Sequence, residues 1–299
     1  MATQSNITLY TEGTPNGLKI SIALEELGLS YKVREIALTQ HEQKEPWFLE
    51  INPNGRIPAL TDIDEDGNEL HIFESGAILQ YLVTRYDKDH RISYPVGSRE
   101  DWEVTCWLMW QVSGLGPMQG QANHFALAHF FPLLGVETFP LPIPISAAPL
   151  TSLHVGYMRT GFAPENEKSN NTYALNRYVH ETRRLYRVLD TALAKNASAS
   201  TTSGQFYLVG DRCTIADIAV WPWVAAYKFS GLATIDEFPF VKSWLNKLLE
   251  ERPGFERGRN VPKPHVHLAM NALSEAELDE RAKYGVKWIQ DAMARDAAA

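Results

Sequence analysis

Two short stretches of this chain hold residue types suited to gripping a small extended peptide. The first is Arg56-Ile57-Pro58-Ala59-Leu60 and the second is Phe73-Glu74-Ser75-Gly76. They flank two hairpin-length apolar segments, Arg56–Asp62 and Glu69–Phe73, joined by the polar turn Asp64-Glu65-Asp66-Gly67-Asn68 with its Asp-Gly hairpin signal. Pro58 cannot donate to a sheet ladder and so marks a strand start or a tight turn. A cis Ile57–Pro58 bond would turn the backbone of Ile57 outward, where its N–H and C=O can pair with an extended peptide as in strand addition. Ser75 is expected to cap the helix that GAILQYL begins, and the free N–H groups of that first turn suit a carboxylate. Glu74 beside it suits an ammonium. The two stretches together describe a site for a small peptide that carries both charges.

RIPAL followed at this distance by FESGAILQYL resembles the glutathione-binding signature of the glutathione transferases. The resemblance implies that Ile57, with Pro58, grips the cysteinyl residue of glutathione and that Glu74 and Ser75 hold its γ-glutamyl end. It also implies a reactive thiol, which needs a hydrogen-bond donor aimed at sulfur to lower its pKa. The turn before the first helix, Thr14-Pro15-Asn16-Gly17, resembles that of the nu-class bacterial transferases and of the fungal group related to the yeast nitrogen-catabolite regulator. There the asparagine serves the sulfur, so Asn16 is the expected donor, with the Thr14 hydroxyl as its companion. An amide cannot remove the proton, so the chemistry would be stabilisation of the thiolate and not general-base catalysis. Tyr10 is the rival, since other classes use a tyrosine near the end of this strand. Gln43 matches the position that binds the glycyl end in that same group, and Arg56 is expected to reach the glycyl carboxylate. WLMWQVSGLGPMQGQANHF resembles the group's fourth-helix region, which implies that Gln121, Asn123 or His124 approaches glutathione from the partner subunit.

These residues need a scaffold, and the pattern around them predicts one. A strand over Ile7–Tyr10 leads to a helix that starts at Thr14-Pro15 and stops at Gly28, then a strand over Tyr31–Ala37. Strand, helix, strand, hairpin and helix is an α/β thioredoxin-like order, here residues 1–88. Residues 100–262 read as an all-α second domain. Its helices are expected over Glu100–Val112, with a kink or break at Gly114-Leu115-Gly116-Pro117, then over Asn176–Lys195 and Phe238–Glu251. Thr214-Ile215-Ala216-Asp217 is a capping box with a structural role. Two segments stand apart. Phe131–Asn171 is rich in proline and apolar residues and is expected to fold over the electrophile site as a lid, while 263–299 is a tail with a helix over Ser274–Met293.

A net charge of −8 without a basic block disfavours nucleic acid and anionic membranes as partners. The two cysteines, Cys106 and Cys213, form no metal-like or redox spacing and suit a reducing compartment. MATQSNITLY enters a strand almost at once, without room for a signal peptide, so the expected location is cytoplasmic. The resemblance implies a homodimer that uses glutathione as co-substrate on a bulky apolar electrophile, by conjugation or double-bond isomerisation. Glutathione-dependent disulfide reduction and a non-catalytic, glutathione-binding regulator are the alternatives.

Overall fold

The computed structural model describes residues 5–126, 172–199 and 207–264, together with Leu273 and Glu277. The expected lid, Phe131–Asn171, lies wholly outside these residues, and the expected tail helix, Ser274–Met293, lies outside them but for Glu277.

The first half is a four-stranded sheet flanked by helices. β1 (Thr8–Thr11) is followed by α1 (Pro15–Leu27), β2 (Lys32–Glu35), α2 (Pro46–Ile51), β3 (Ala59–Ile63), β4 (Glu69–Phe73) and α3 (Ser75–Tyr86). The strand order is β2-β1-β3-β4, with β1 and β2 parallel and the other pairs antiparallel. Local chemistry explains most of the boundaries. Thr14 caps α1 by accepting from the Gly17 N–H at 3.2 Å, and Gly28 ends it in the left-handed conformation. Asp64 closes the hairpin, its carboxylate accepting from the N–H groups of Asp66 and Asn68 at 2.9 and 2.8 Å. The Ile57–Pro58 peptide is cis, and the ladder of β3 starts just after it at Ala59.

The second half is helical. α4 (Arg99–Trp110) runs through a single π-helical turn (Gln111–Leu115) into α5 (Gly116–Ala126), followed by α6 (Thr172–Ala199), α7 (Ile215–Ala225), α8 (Pro239–Glu251) and α9 (Pro253–Gly258). The expected break at Gly114–Pro117 is therefore a widened turn: the Gly116 N–H reaches back to Gln111 O, five residues away. Every residue of α7 is buried, which makes it the axis of this half. Its start is the capping box, in which Asp217 accepts from the Thr214 N–H at 3.0 Å and also from the Leu208 N–H and the Trp244 indole. α8 has no side-chain cap of its own; Asp190 of α6 accepts from its first N–H groups, Phe240 and Val241, at 2.8 and 3.0 Å.

One continuous apolar core joins the halves, from Leu9, Ile20 and Leu79 through Leu108 to Trp221 and Trp244. α9 lies directly on the back of α1. A methyl group at Gly258 would come within 2.5 Å of Ile22 Cα, so only glycine permits this approach. Ser21 Oγ donates to Gly258 O at 2.7 Å, and Arg252 Nε to Glu26 at 3.0 Å. α1 is thus held from behind while its other side faces the site. No helix among the described residues is long and apolar enough to cross a membrane.

Candidate functional site

A cleft of about 630 Å³ opens where the two halves meet. Asn16 and Lys19 of α1, Arg56, and Glu74 and Ser75 at the start of α3 line one side. Gln111 and Val112 of the π-helical turn, Gly116, Gly120, Gln121 and His124 of α5, and Trp223 of α7 line the other. Its size is ordinary for a small-molecule site.

The start of α3 departs from expectation. Glu74, not Ser75, occupies the cap position, with φ +68° and ψ +117° and no capping side chain. A positive φ on glutamate is uncommon, and strained residues of this kind cluster at ligand sites. Ser75 is the first helical residue and is 7% exposed. Its hydroxyl faces the cleft and accepts from Lys19 Nζ at 3.1 Å. Because the lysine donates to the Ser75 oxygen, the hydroxyl hydrogen is left to donate to another acceptor. The first-turn N–H groups of α3 are not taken up by a cap side chain, which leaves them to an anion.

Lys19 is one of the residues that sequence reasoning missed. It is 1% exposed and also donates to Gln111 Oε1 at 2.5 Å. Burial pushes its pKa down to about 7, partly opposed by the carboxylate of Glu74. A lysine three residues after Asn16, inside an apolar run, was the available signal, because both then fall on one face of α1. Gln111 is wholly buried; its oxygen is used by Lys19, while its Nε2 finds no partner among the described residues.

Asn16 lies in the first turn of α1, half-buried, its Oδ1 accepting from the Trp223 indole at 3.1 Å. Its companion Thr14 does not line the cleft, and its oxygen is occupied in capping. Tyr10 is placed away from both. On β1 it alternates with the buried Leu9 and Thr11, so its ring turns to the opposite face of the sheet and packs on Trp47 and Phe48, with centroids 6.2 Å away in each case.

Arg56 and Ile57 are presented by a built turn. Asn52 Nδ2 donates to Arg56 O at 2.7 Å, and the Asn52 side-chain oxygen accepts from the Asn54 N–H at 2.9 Å. Gly55, at φ +59°, lets this turn press against Gln43 O, which a methyl group would approach to 2.9 Å. Gln43 is therefore next to Arg56–Ile57, buried, with an Oε1 that has no partner among the described residues. Arg56 is exposed and Pro58 is buried behind Ile57.

On the helical side, Gln121 and His124 line this chain's own cleft, where a reach from a partner subunit was expected. Asn123 points away and accepts from Ser230 Oγ at 2.8 Å. His124 is half-buried, which lowers its pKa and favours the neutral ring.

In sum of parts, the cleft offers an exposed carboxylate, a serine hydroxyl at a helix start with a buried lysine behind it, a free amide donor, and a guanidinium. That set fits a peptide bearing an ammonium, two carboxylates and a thiol. Comparison with known proteins agrees. The glutathione S-transferase N-terminal domain matches residues 5–84, and the glutathione S-transferase C-terminal domain matches 157–252. The chain is 37% identical over 256 residues to the glutathione S-transferase-like protein tpcF of Aspergillus fumigatus, covering 84% of this chain and 94% of that one. It is 35% identical over 249 residues to the disulfide-bond oxidoreductase YfcG of Escherichia coli, covering 83% and 91%. Among solved structures, a glutathione transferase homolog from Lodderomyces elongisporus with two GSH per subunit is 38% identical, with a TM-score of 0.63 over 86% of this chain and 99% of that one. With both halves matched in order and the site built at their junction, this chain belongs to the glutathione S-transferase family.

Proposed function

We propose that the cleft binds glutathione and presents its thiolate to an electrophile lodged against the helical wall. The observation that carries this reading is the placement of Asn16, Glu74 and Ser75 on one wall of one cleft. Glu74 takes the ligand ammonium, and Ser75 with the start of α3 takes the adjacent carboxylate. Ile57 pairs with the cysteinyl backbone, while Gln43 and Arg56 serve the glycyl end. The thiol then lies by Asn16, whose amide donates to sulfur and favours the ionised form; the proton leaves to solvent. The thiolate forms a C–S bond to the electrophile, and in conjugation a leaving group departs with the bonding pair. Addition followed by expulsion of the thiolate would instead isomerise a double bond. Val112, Pro117 and the Trp223 indole give the facing wall an apolar surface, which supports a bulky apolar electrophile.

A second reading, disulfide reduction, draws on the likeness to the disulfide-bond oxidoreductase. Neither cysteine lines the cleft: Cys106 is exposed on α4 and Cys213 is buried. Such a reaction would therefore use two glutathiones. One thiolate attacks the disulfide, releasing a thiolate, and the second resolves the mixed disulfide to give oxidised glutathione. Turnover of a chromogenic halobenzene against hydroxyethyl disulfide, each with glutathione, separates the readings. Turnover of neither, with glutathione still bound in calorimetry, would favour a binding regulator.

The assembly proposed is a homodimer. Trp102, Cys106 and Met109 form an exposed row along α4, at 63% and 42% exposure for the tryptophan and the methionine. A monomeric mass in light scattering at micromolar concentration would contradict it. A cytoplasmic location is supported by the two free cysteines.

A further inference from the structure

We infer that Trp223 is a positioning residue for the thiolate donor: its indole fixes the amide of Asn16 so that the NH₂ group, and not the oxygen, faces the sulfur. This rests on the glutathione reading above. An indole N–H can only donate, so the atom of Asn16 that lies 3.1 Å from Trp223 Nε1 has to be the amide oxygen. With Oδ1 committed to the indole, Nδ2 is the end of the amide left to donate within the cleft that Asn16 lines. An amide without this contact could present either end. Its oxygen would repel a thiolate as much as its nitrogen would attract one.

The indole is itself fixed, which gives the contact its worth. α5 offers glycine at 116 and 120, one helical turn apart, and the ring lies on both. A methyl group at either position would stand 3.5 Å from ring atoms of Trp223. The backbone is anchored as well: Trp223 O accepts from Gln119 Nε2 at 2.6 Å, and Gln119 Oε1 accepts from the Tyr186 hydroxyl at 3.2 Å. Trp223 is 8% exposed and Gln119 is wholly buried. α5, α6 and α7 thus converge on one N–H that crosses to the other half of the molecule. Trp223 acts through Asn16 and need not touch the sulfur.

Trp223→Phe keeps the ring on the glycines and removes only the donor. Expected is a raised pKa of the bound thiol, read from thiolate absorbance against pH. With it, kcat at neutral pH should fall about tenfold, as for one lost charge-assisted hydrogen bond, while KM for glutathione stays within about twofold. The effect should vanish in an Asn16→Ala background, because the cycle removes the group through which the indole acts. An equal effect in that background would mean that the ring acts by packing alone, and would overturn the inference. So would an unmoved thiol pKa in Trp223→Phe when the unaltered protein lowers it. An unaltered protein that binds no glutathione would instead sink the reading of the cleft, and this inference with it. Should Trp223→Phe not fold, Asn16→Asp carries the test. It retains an oxygen for the indole, loses the NH₂ and sets a carboxylate by the sulfur, so bound glutathione should titrate at or above its solution pKa; a lowered value there would overturn the assignment.

Discussion

The two walls of the cleft are made in different ways. The wall from the sheet half is polar, and its groups come from short runs of sequence: Asn16 and Lys19 from one turn of α1, and Glu74 and Ser75 from one helix start. The helical wall is poorer in charge, with glycines, a proline and a tryptophan drawn from the π-helical turn, α5 and α7. On the function proposed above, the first wall recognises one ligand and the second leaves room for another. A constant co-substrate can be read by fixed donors and acceptors, whereas an electrophile needs a surface that substitutions can remodel.

That contrast can be broken most directly at Ser75. Ser75→Ala is expected to weaken glutathione binding about 10- to 100-fold, since a hydrogen bond to a charged group is worth ~1.5–3 kcal/mol. Unchanged affinity in calorimetry would deny the polar wall its role. A second route attacks the same wall from behind. Gly258→Ala places a methyl group against the backbone of α1 at Ile22, and overpacking of this kind costs about 1–3 kcal/mol. A lower denaturant midpoint with an unchanged slope is the expected result.

Lys19 gives the polar wall a pH signature. Below pH 7 folded and unfolded chains both hold the proton, and folding bears the full cost of burying the charge. Between about 7 and the ordinary value of 10.5, the unfolded chain keeps a proton that the folded one has released. Stability should therefore rise with pH across that window, by at most about 1.4 kcal/mol per unit. Lys19→Met should lack this rise in paired denaturation curves at neutral and alkaline pH. The smallest effect is expected on the helical wall. Gly120→Ala adds a methyl group at ordinary contact distance from Trp223, so stability should change by no more than about 1 kcal/mol, and glutathione affinity should hold within about twofold. A large loss of glutathione affinity there would erase the distinction between the walls.

What could be read beforehand follows from the same contrast. Thr14-Pro15, Gly28, the Asp64–Gly67 turn and the Thr214–Asp217 box are local codes, each satisfied within a few residues, and each has its expected counterpart in the structure. Glu74-Ser75 was legible as a pair, but its cap was assigned one residue late, because a cap with positive φ on glutamate runs against residue preference. Lys19, Gln111 and Trp223 were not singled out. Lys19 shares a helix face with Asn16, but the partners that give these three residues their roles lie 56, 92 and 207 residues away, at separations where no local pattern operates. Tyr10 shows the converse, a residue of suitable chemistry that strand alternation turns to the other face.

The π-helical turn at Gln111–Leu115 has a consequence for how such a cleft can change. A widened turn holds one residue more than an α-helix needs, and each helical residue turns the chain by about 100°. Deleting one codon between Gln111 and Gly116 would restore α-helical winding with the Gly116 N–H still on Gln111 O, and so would leave α5 facing as it does. Gly116 and Gly120 would stay against the indole of Trp223, whereas an α-helix of unaltered length would turn them about 100° away from it. A change of length here would thus alter the cleft at the turn itself, around Val112, without turning α5 or touching Glu74, Ser75 or any other residue on the wall opposite.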